Sequence, residues 1–204
     1  MSRSVVCVSR SIGAGGEEIA RSAAEQLGFR YIDDEIVLRA AELAGVSPQE
    51  VARAEHSPPL VSRIIESLAA TPTVSEGGYV AVAPARTLDY THLIEHVVRE
   101  TAVGGNVVIV AHGASHALGG RPEVLRVFIT ASPDTRAARL SRESGIGEPA
   151  AAKSVEGSDR ERARYLARFY QVQHELPVHY DLTLNTDLVT PQTAASLIVA
   201  AARA

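Results

Sequence analysis

The chain has 204 residues, 46% of them apolar and 22% charged, which suits one domain with a sizeable core. Its 20 Lys and Arg against 24 Asp and Glu exclude the global basic field of a nucleic-acid binder. The single cysteine, Cys7, excludes an intrachain disulfide, and no apolar run is long enough to span a membrane.

Lysine is nearly absent (only Lys153), so any anion site must be built from arginine. The N-terminus enters an apolar run at once, unlike a signal peptide, and a cytoplasmic location is expected. Val5 to Ser9 reads as a buried strand. It runs into Arg10-Ser11-Ile12-Gly13-Ala14-Gly15-Gly16-Glu17 and then a helix from Gly15 to Leu27, which Gly28 ends. Strand, glycine-rich turn and helix start form the layout of a phosphate-binding loop. The backbone N–H groups of Gly13, Ala14, Gly15 and Gly16 and the positive helix end would face an anion. Against the pattern G-x-x-x-x-G-K-[ST], aligned on Gly15, the lysine position holds Gly16, the hydroxyl position Glu17 and the first glycine position Arg10.

Phe29 to Ile32 is a short second strand, with a helix from Asp34 to Ala44 stopped by Gly45. Ser47-Pro48-Gln49-Glu50 carries the signature of a capped helix start. A helix is expected over Pro59 to Ala69, and the Pro-, Gly-, Ser- and Thr-rich stretch Thr71 to Arg86 reads as part of an insertion, 57–90, over the site. Helical pattern resumes from Leu88 to Thr101. Strands follow at Asn106 to Ala111 and Leu125 to Thr130, with a helix from Pro133 to Arg142. The small-residue stretch 145–157 is expected to be a lid, and Ser158 to cap a long helix through Gln173. Tyr180 to Asn185 is the last strand and Pro191 to Ala202 the closing helix. This alternation predicts a single α/β domain over 1–204, a three-layer parallel sheet of P-loop NTPase type flanked by helices.

Four stretches resemble the cytidylate kinase-like family, a divergent branch of the P-loop nucleoside monophosphate kinases. Val8-Ser9-Arg10 through Gly13-Ala14-Gly15-Gly16 to Ile19-Ala20 is similar to the family's I-S-R-x-x-G-S-G-G-x-x-I-A opening, which also has Gly in place of Lys. Leu27-Gly28 through Asp33-Asp34-Glu35-Ile36 is similar to L-G-x-x-x-x-D-x-E-I. Asp159 to Tyr165 is similar to D-x-x-R-x-x-Y, and Tyr180-Asp181-Leu182 to Asn185-Thr186 to Y-D-L-x-x-N-T. One departure stands out: where the family has Val-Gly-Arg-Gly, this chain has Val110-Ala111-His112-Gly113.

The resemblance implies a kinase that moves the γ-phosphate of ATP, with Mg2+, onto CMP or a related nucleoside monophosphate, with Arg39 and His112 on the acceptor side. Losing a preorganised cationic donor costs about 2.7–4 kcal/mol of transition-state stabilisation. Arg10 and Arg162 are therefore expected at the transferring phosphoryl group, with Asp159 positioning an arginine. Asp33 is the candidate to orient an acceptor or a magnesium-bound water, and Asp34 a helix cap. Glu17 and Glu18 read as first-turn dipole partners, a Mg2+ ligand being the alternative. His92/His96 and His112/His116 are each spaced i, i+4, but lack a nearby Cys or H-E-x-x-H, and no metal centre is expected of them. Two other readings stay open: a nucleotide-binding regulatory protein without catalysis, and a small-molecule kinase with a non-nucleotide acceptor.

Overall fold

Alternate residues of the first strand face opposite helix layers, and the whole architecture follows from that alternation. A computed structural model describes the chain over residues 3–56 and 90–204. The strands are β1 (Val5–Arg10), β2 (Arg30–Ile32), β3 (Val107–Val110), β4 (Val124–Thr130) and β5 (Leu182–Asn185). They form one sheet in the order β2-β3-β1-β4-β5, with every adjacent pair parallel. Val6 and Val8 point into one core with Val108, Val110, Val127 and Ile129. That core is closed by α1 (Gly16–Leu27) and the C-terminal helix Pro191–Arg203. Val5 and Cys7 point into the other, with Val107 and Ile109, against α2 (Glu35–Ala44) and α4 (Thr91–Val103). A strand buried on both faces must be apolar throughout, which explains the unbroken Val-Val-Cys-Val and Val-Val-Ile-Val runs. Burial in this core raises the Cys7 thiol to about 12, so it stays an inert apolar side chain.

The expected α/β class holds, and the described elements other than the long helix before β5 lie within a few residues of their expected ends. α3 (Pro48–His56) opens with the anticipated capping box, Ser47 and Glu50 bonding reciprocally. A one-turn helix, α5 (Ala114–Ala117), was not foreseen. The helix expected over Pro59 to Ala69 and the insertion 57–90, Tyr90 apart, lie outside the described residues. No helix among the described residues is long and apolar enough to cross a membrane.

The expected start of the long helix at Ser158 needs correction. After α6 (Pro133–Ser144), the long helix α7 spans Glu148–Tyr170, so Ser158 sits inside it and caps nothing. Gly157-Ser158 looks like a stop and a restart, yet Ala150, Ala151 and Ala152 propagate the helix from Pro149. Ala151 and Val155 then pack on Ala137, with Ile12 of the glycine loop beside them. The N-terminal half of α7 is thereby joined to the loop after β1.

The last strand reaches the same loop. Thr186, 3% exposed and just past β5, donates from Oγ1 to the Ala14 carbonyl at 2.9 Å. It accepts from Arg139 Nη1 at 2.9 Å. Thr186→Val keeps the shape but leaves the Ala14 carbonyl without this donor, and is expected to cost about 1–3 kcal/mol in urea unfolding. A loss within error of zero would show that the loop does not depend on this tie.

Candidate functional site

Parallel α/β sheets open their ligand crevice beyond the carboxyl ends of the strands, and this one does so at the ends of β1, β2 and β3. A cleft of about 540 Å3 lies there, lined by the glycine loop, the ends of β2 and β3, α6 and α7. Arg10, Gly13, Gly15, Gly16, Glu17, Asp33, His112 and Arg162 all line it, so most of the expected site residues are brought together. Ala14 is buried beneath the loop, held by its carbonyl.

The loop is shaped by close approaches. Gly13 has φ 75°, and a Cβ there would stand 2.6 Å from the Arg136 carbonyl oxygen. Gly15 caps α1 in the left-handed region with no side-chain bond, so the first-turn amides keep their donors for a ligand. Gly16 is the most telling: a Cβ built on it would lie 2.6 Å from Arg10 Cβ and 3.1 Å from Arg10 Cδ. The Arg10 side chain thus occupies the space beside the residue where other loops carry lysine. Its Nη2 lies 2.5 Å from Glu17 Oε1, while its Nε is buried with no hydrogen-bond partner. An orphaned buried donor costs about 1–3 kcal/mol, which an anion seated in the loop would relieve.

Arg162 projects from α7 into a half-buried cluster. Its Nε and Nη2 bind both oxygens of Glu175 at 2.7 and 2.5 Å, and Nη2 lies 3.3 Å from Tyr180 Oη. Tyr180 Oη also donates to Glu175. Burial opposes ionisation of both partners, but the bidentate pair prevails: the Glu175 carboxyl is held below its usual range and the Arg162 guanidinium above its own. Burial lifts the Tyr180 hydroxyl to about 12. Arg162 Nη1 enters none of these bonds, and the residue lines the cleft. Glu175 carries no motif of its own and was not legible in the sequence.

Asp159 does pair with an arginine, but with Arg136 rather than Arg162. Arg136 Nη1 and Nη2 meet Asp159 at 2.8 and 2.7 Å, and its Nε donates to the Ala131 carbonyl at 3.0 Å. Arg136 is 4% exposed, and its own carbonyl abuts Gly13. Asp159 therefore fixes α7 to the turn under the loop rather than lining the cleft. Arg39 is not brought in either. It is exposed, pairs with Glu42 at 3.0 Å and borders a separate pocket with Arg30, Glu35 and Glu100.

Carboxylates and histidines join the cleft from beyond the ends of β2 and β3. Asp33 accepts from Tyr31 Oη at 3.1 Å, and His112 Nε2 lies 3.7 Å from Asp33 Oδ1. Burial, and next the Asp33 charge, raise the Tyr31 hydroxyl to about 12. Asp34 stands at the N-cap of α2 but makes no side-chain cap bond; it lines the cleft. His116 was not singled out for the site, yet it lines the cleft, stacks on Tyr170 at 5.3 Å and has a buried Nε2 without a partner. Burial lowers its pKa to about 4, so it is neutral at ordinary pH. Among the described residues, no three His, Cys, Asp or Glu side chains are grouped to hold a metal ion.

A five-stranded parallel sheet with a glycine loop between β1 and α1 defines a P-loop kinase fold. Within that class, the chain belongs to the cytidylate kinase-like family, whose model matches residues 5–188. A cytidylate kinase of Streptomyces griseus is 30% identical over 160 residues, 68% of each chain. A crystal structure of an uncharacterized protein from Eubacterium ventriosum superposes with a TM-score of 0.67 at 18% identity, covering 97% of both chains. A shikimate kinase from Bacteroides thetaiotaomicron does so with 0.51 at 16% identity, over 97% of this chain and 94% of that one. These likenesses establish a kinase-type transferase fold.

Three successive residues after β3 have left-handed backbone: Ala111 at φ 63°, His112 at 52° and Gly113 at 63°. Gly113 is required twice over, since a Cβ there would also lie 2.5 Å from the Tyr170 ring. Ala111 and His112 store about 1–2 kcal/mol each, strain of the kind that gathers at functional sites. Ala111→Gly, ordinarily a destabilising change, is expected to raise stability here by up to about 1 kcal/mol in chemical denaturation. A clear loss of stability would show that the turn is unstrained.

Proposed function

We propose that this chain is an ATP-dependent phosphotransferase in which Arg10 performs the duty of the absent P-loop lysine. The observation that carries the reading is the seat of Arg10 beside Gly16, with its Nε buried and unsatisfied. In this reading, the amides of Gly13, Gly15 and Gly16 and the start of α1 cradle the β- and γ-phosphates of ATP, while the Ala14 amide stays bonded to the Ser11 carbonyl. Arg10 leaves Glu17 and turns to the γ-phosphate. Arg162, held by Glu175, offers Nη1 from the opposite wall, so the transferring group meets positive charge from two sides. The N-terminal half of α7, joined to α6 through Arg136 and Asp159, is the lid that excludes water.

Magnesium belongs to the same proposal, supplying charge neutralisation on the phosphates. It needs only one or two carboxylates beside phosphate oxygens, and Glu17 and Asp33 both line the cleft. The acceptor sits between Asp33 and His112. Kinship offers CMP first, since the Streptomyces griseus relative is a cytidylate kinase. The partner is then a small molecule, and the setting a cytoplasmic one.

A coupled ADP-release assay with Mg2+, run over monophosphates and unphosphorylated alcohols, provides the test. Arg10→Ala is expected to lower turnover by about two to three decades. Combining Gly16→Lys with Arg10→Gly, which also removes the Cβ that would stand 2.6 Å from a Cβ at 16, is expected to restore at least about tenfold of it. Gly16→Lys alone meets Arg10 and is expected to restore nothing. Unchanged turnover in Arg10→Ala, or ATP binding without turnover on any acceptor, would contradict the proposal; the latter would favour a regulatory nucleotide-binding protein.

A further inference from the structure

A guanidinium serves a transferring phosphoryl group only if its plane is held still and aimed, because a free arginine chain is spread over many rotamers. The Arg162 fork is held along one edge. Nε and Nη2 donate to the two oxygens of Glu175 at 2.7 and 2.5 Å, and Nη1 enters neither bond. Tyr180, 6% exposed, closes the arrangement. Its Oη accepts from Nη2 at 3.3 Å and donates to Oε1, the Glu175 oxygen that Nη2 also holds. Beneath them, the Phe128 ring lies 5.5 Å from the guanidinium carbon and stacks on the Tyr180 ring at 5.1 Å.

These contacts come from outside α7. Phe128 is on β4, Tyr180 stands two residues before β5, and Glu175 lies in the segment between α7 and β5. Arg162 is carried by a helix, yet its guanidinium is anchored to the sheet whose first strand bears the glycine loop. Net stability is a poor reason for such a cluster, since two charges withdrawn from water to bond one another gain little over an apolar filling. Tyr180 also heads the stretch that ends in Thr186, and the loop tie made by Thr186 does not involve the Tyr180 hydroxyl.

We infer that Glu175 and Tyr180 are positioning residues for Arg162. Glu175 fixes the plane of the guanidinium with Nη1 as its unbound edge, and Tyr180 fixes the Glu175 carboxylate. The inference rests on the phosphotransferase reading above and adds to it two residues that act only through Arg162. Their signature is a split between binding and turnover. Removing the Glu175 charge takes a carboxylate from beside a cleft arginine, so a triphosphate binds as well as before or better. Turnover falls all the same, because Arg162 loses its aim.

The test pairs the ADP-release assay, with ATP, Mg2+ and the acceptor panel, with calorimetry of a nonhydrolysable ATP analogue and Mg2+. Glu175→Gln is expected to lower kcat by about a hundredfold and Tyr180→Phe by about tenfold. Both are expected to keep the analogue affinity within about threefold of wild type or above it. Added to Arg162→Ala, Glu175→Gln is expected to slow turnover by less than about twofold more, since nothing is left to position. Turnover and analogue affinity falling together in Tyr180→Phe, the milder change, would show a structural role and overturn the inference. So would unchanged turnover in both variants, or a full further loss when Glu175→Gln is added to Arg162→Ala. Wild-type protein that releases no ADP with any acceptor fails on the phosphotransferase reading itself, and the inference falls with it.

Discussion

The contact between the Arg10 side chain and the bare Cα of Gly16 governs the rest of this site. A Cβ at Gly16 would stand 2.6 Å from Arg10 Cβ, so a side chain at 16 and an arginine at 10 exclude one another in this loop. The missing lysine and the unusual arginine are therefore one feature. Arg10 stands where the loop pattern places its first glycine, at the end of β1, and it has exchanged places with the lysine across the turn. Glu17 follows from the same exchange, since its 2.5 Å pair with Nη2 gives the guanidinium a partner while the loop is empty. Both side chains are partly exposed, so this pair is worth at most about 1 kcal/mol and yields readily to a triphosphate.

Three distant parts of the chain hold the loop in that shape. Thr186, past β5, donates to the Ala14 carbonyl. The Arg136 carbonyl presses on Gly13 from the start of α6, while the Arg136 guanidinium grips Asp159 on α7. Thr186 and Asp159 thus serve the loop from beneath, although neither lines the cleft. Arg162, three residues after Asp159, is on the face that does. One turn of α7 joins the scaffold and the next faces the chemistry.

The fold was open to reading because parallel strands buried on both faces must be continuous apolar runs, and β1 and β3 are. The loop was legible for a similar reason: glycine at 13, 15 and 16 has little use elsewhere in a strand-to-helix turn. What escaped were pairings set by tertiary approach. Nothing in the spacing of Asp159 tells Arg162 from Arg136 as its partner, since the choice depends on how α6 packs on α7. Glu175 lies in an irregular segment, and only the burial of Tyr180 beside it brings it to Arg162. Arg39 fell on the expected helix, but its side chain leaves α2 on the side away from the cleft. Gly157-Ser158 misled because a glycine and a capping residue inside a helix look like its boundary.

The resulting cleft sets Arg10 and Arg162 among several carboxylates, with strained backbone at Ala111 and His112 beside them. In the proposed function, Arg10 and the loop amides together hold phosphate. The most direct measurement is an amide and arginine-Nε NMR titration of 15N-labelled protein with ATP and Mg2+. The account predicts saturable shifts at the amides of Gly13, Gly15 and Gly16, together with a displaced Arg10 Nε–H signal. Saturation by ATP with those four signals unmoved would contradict it.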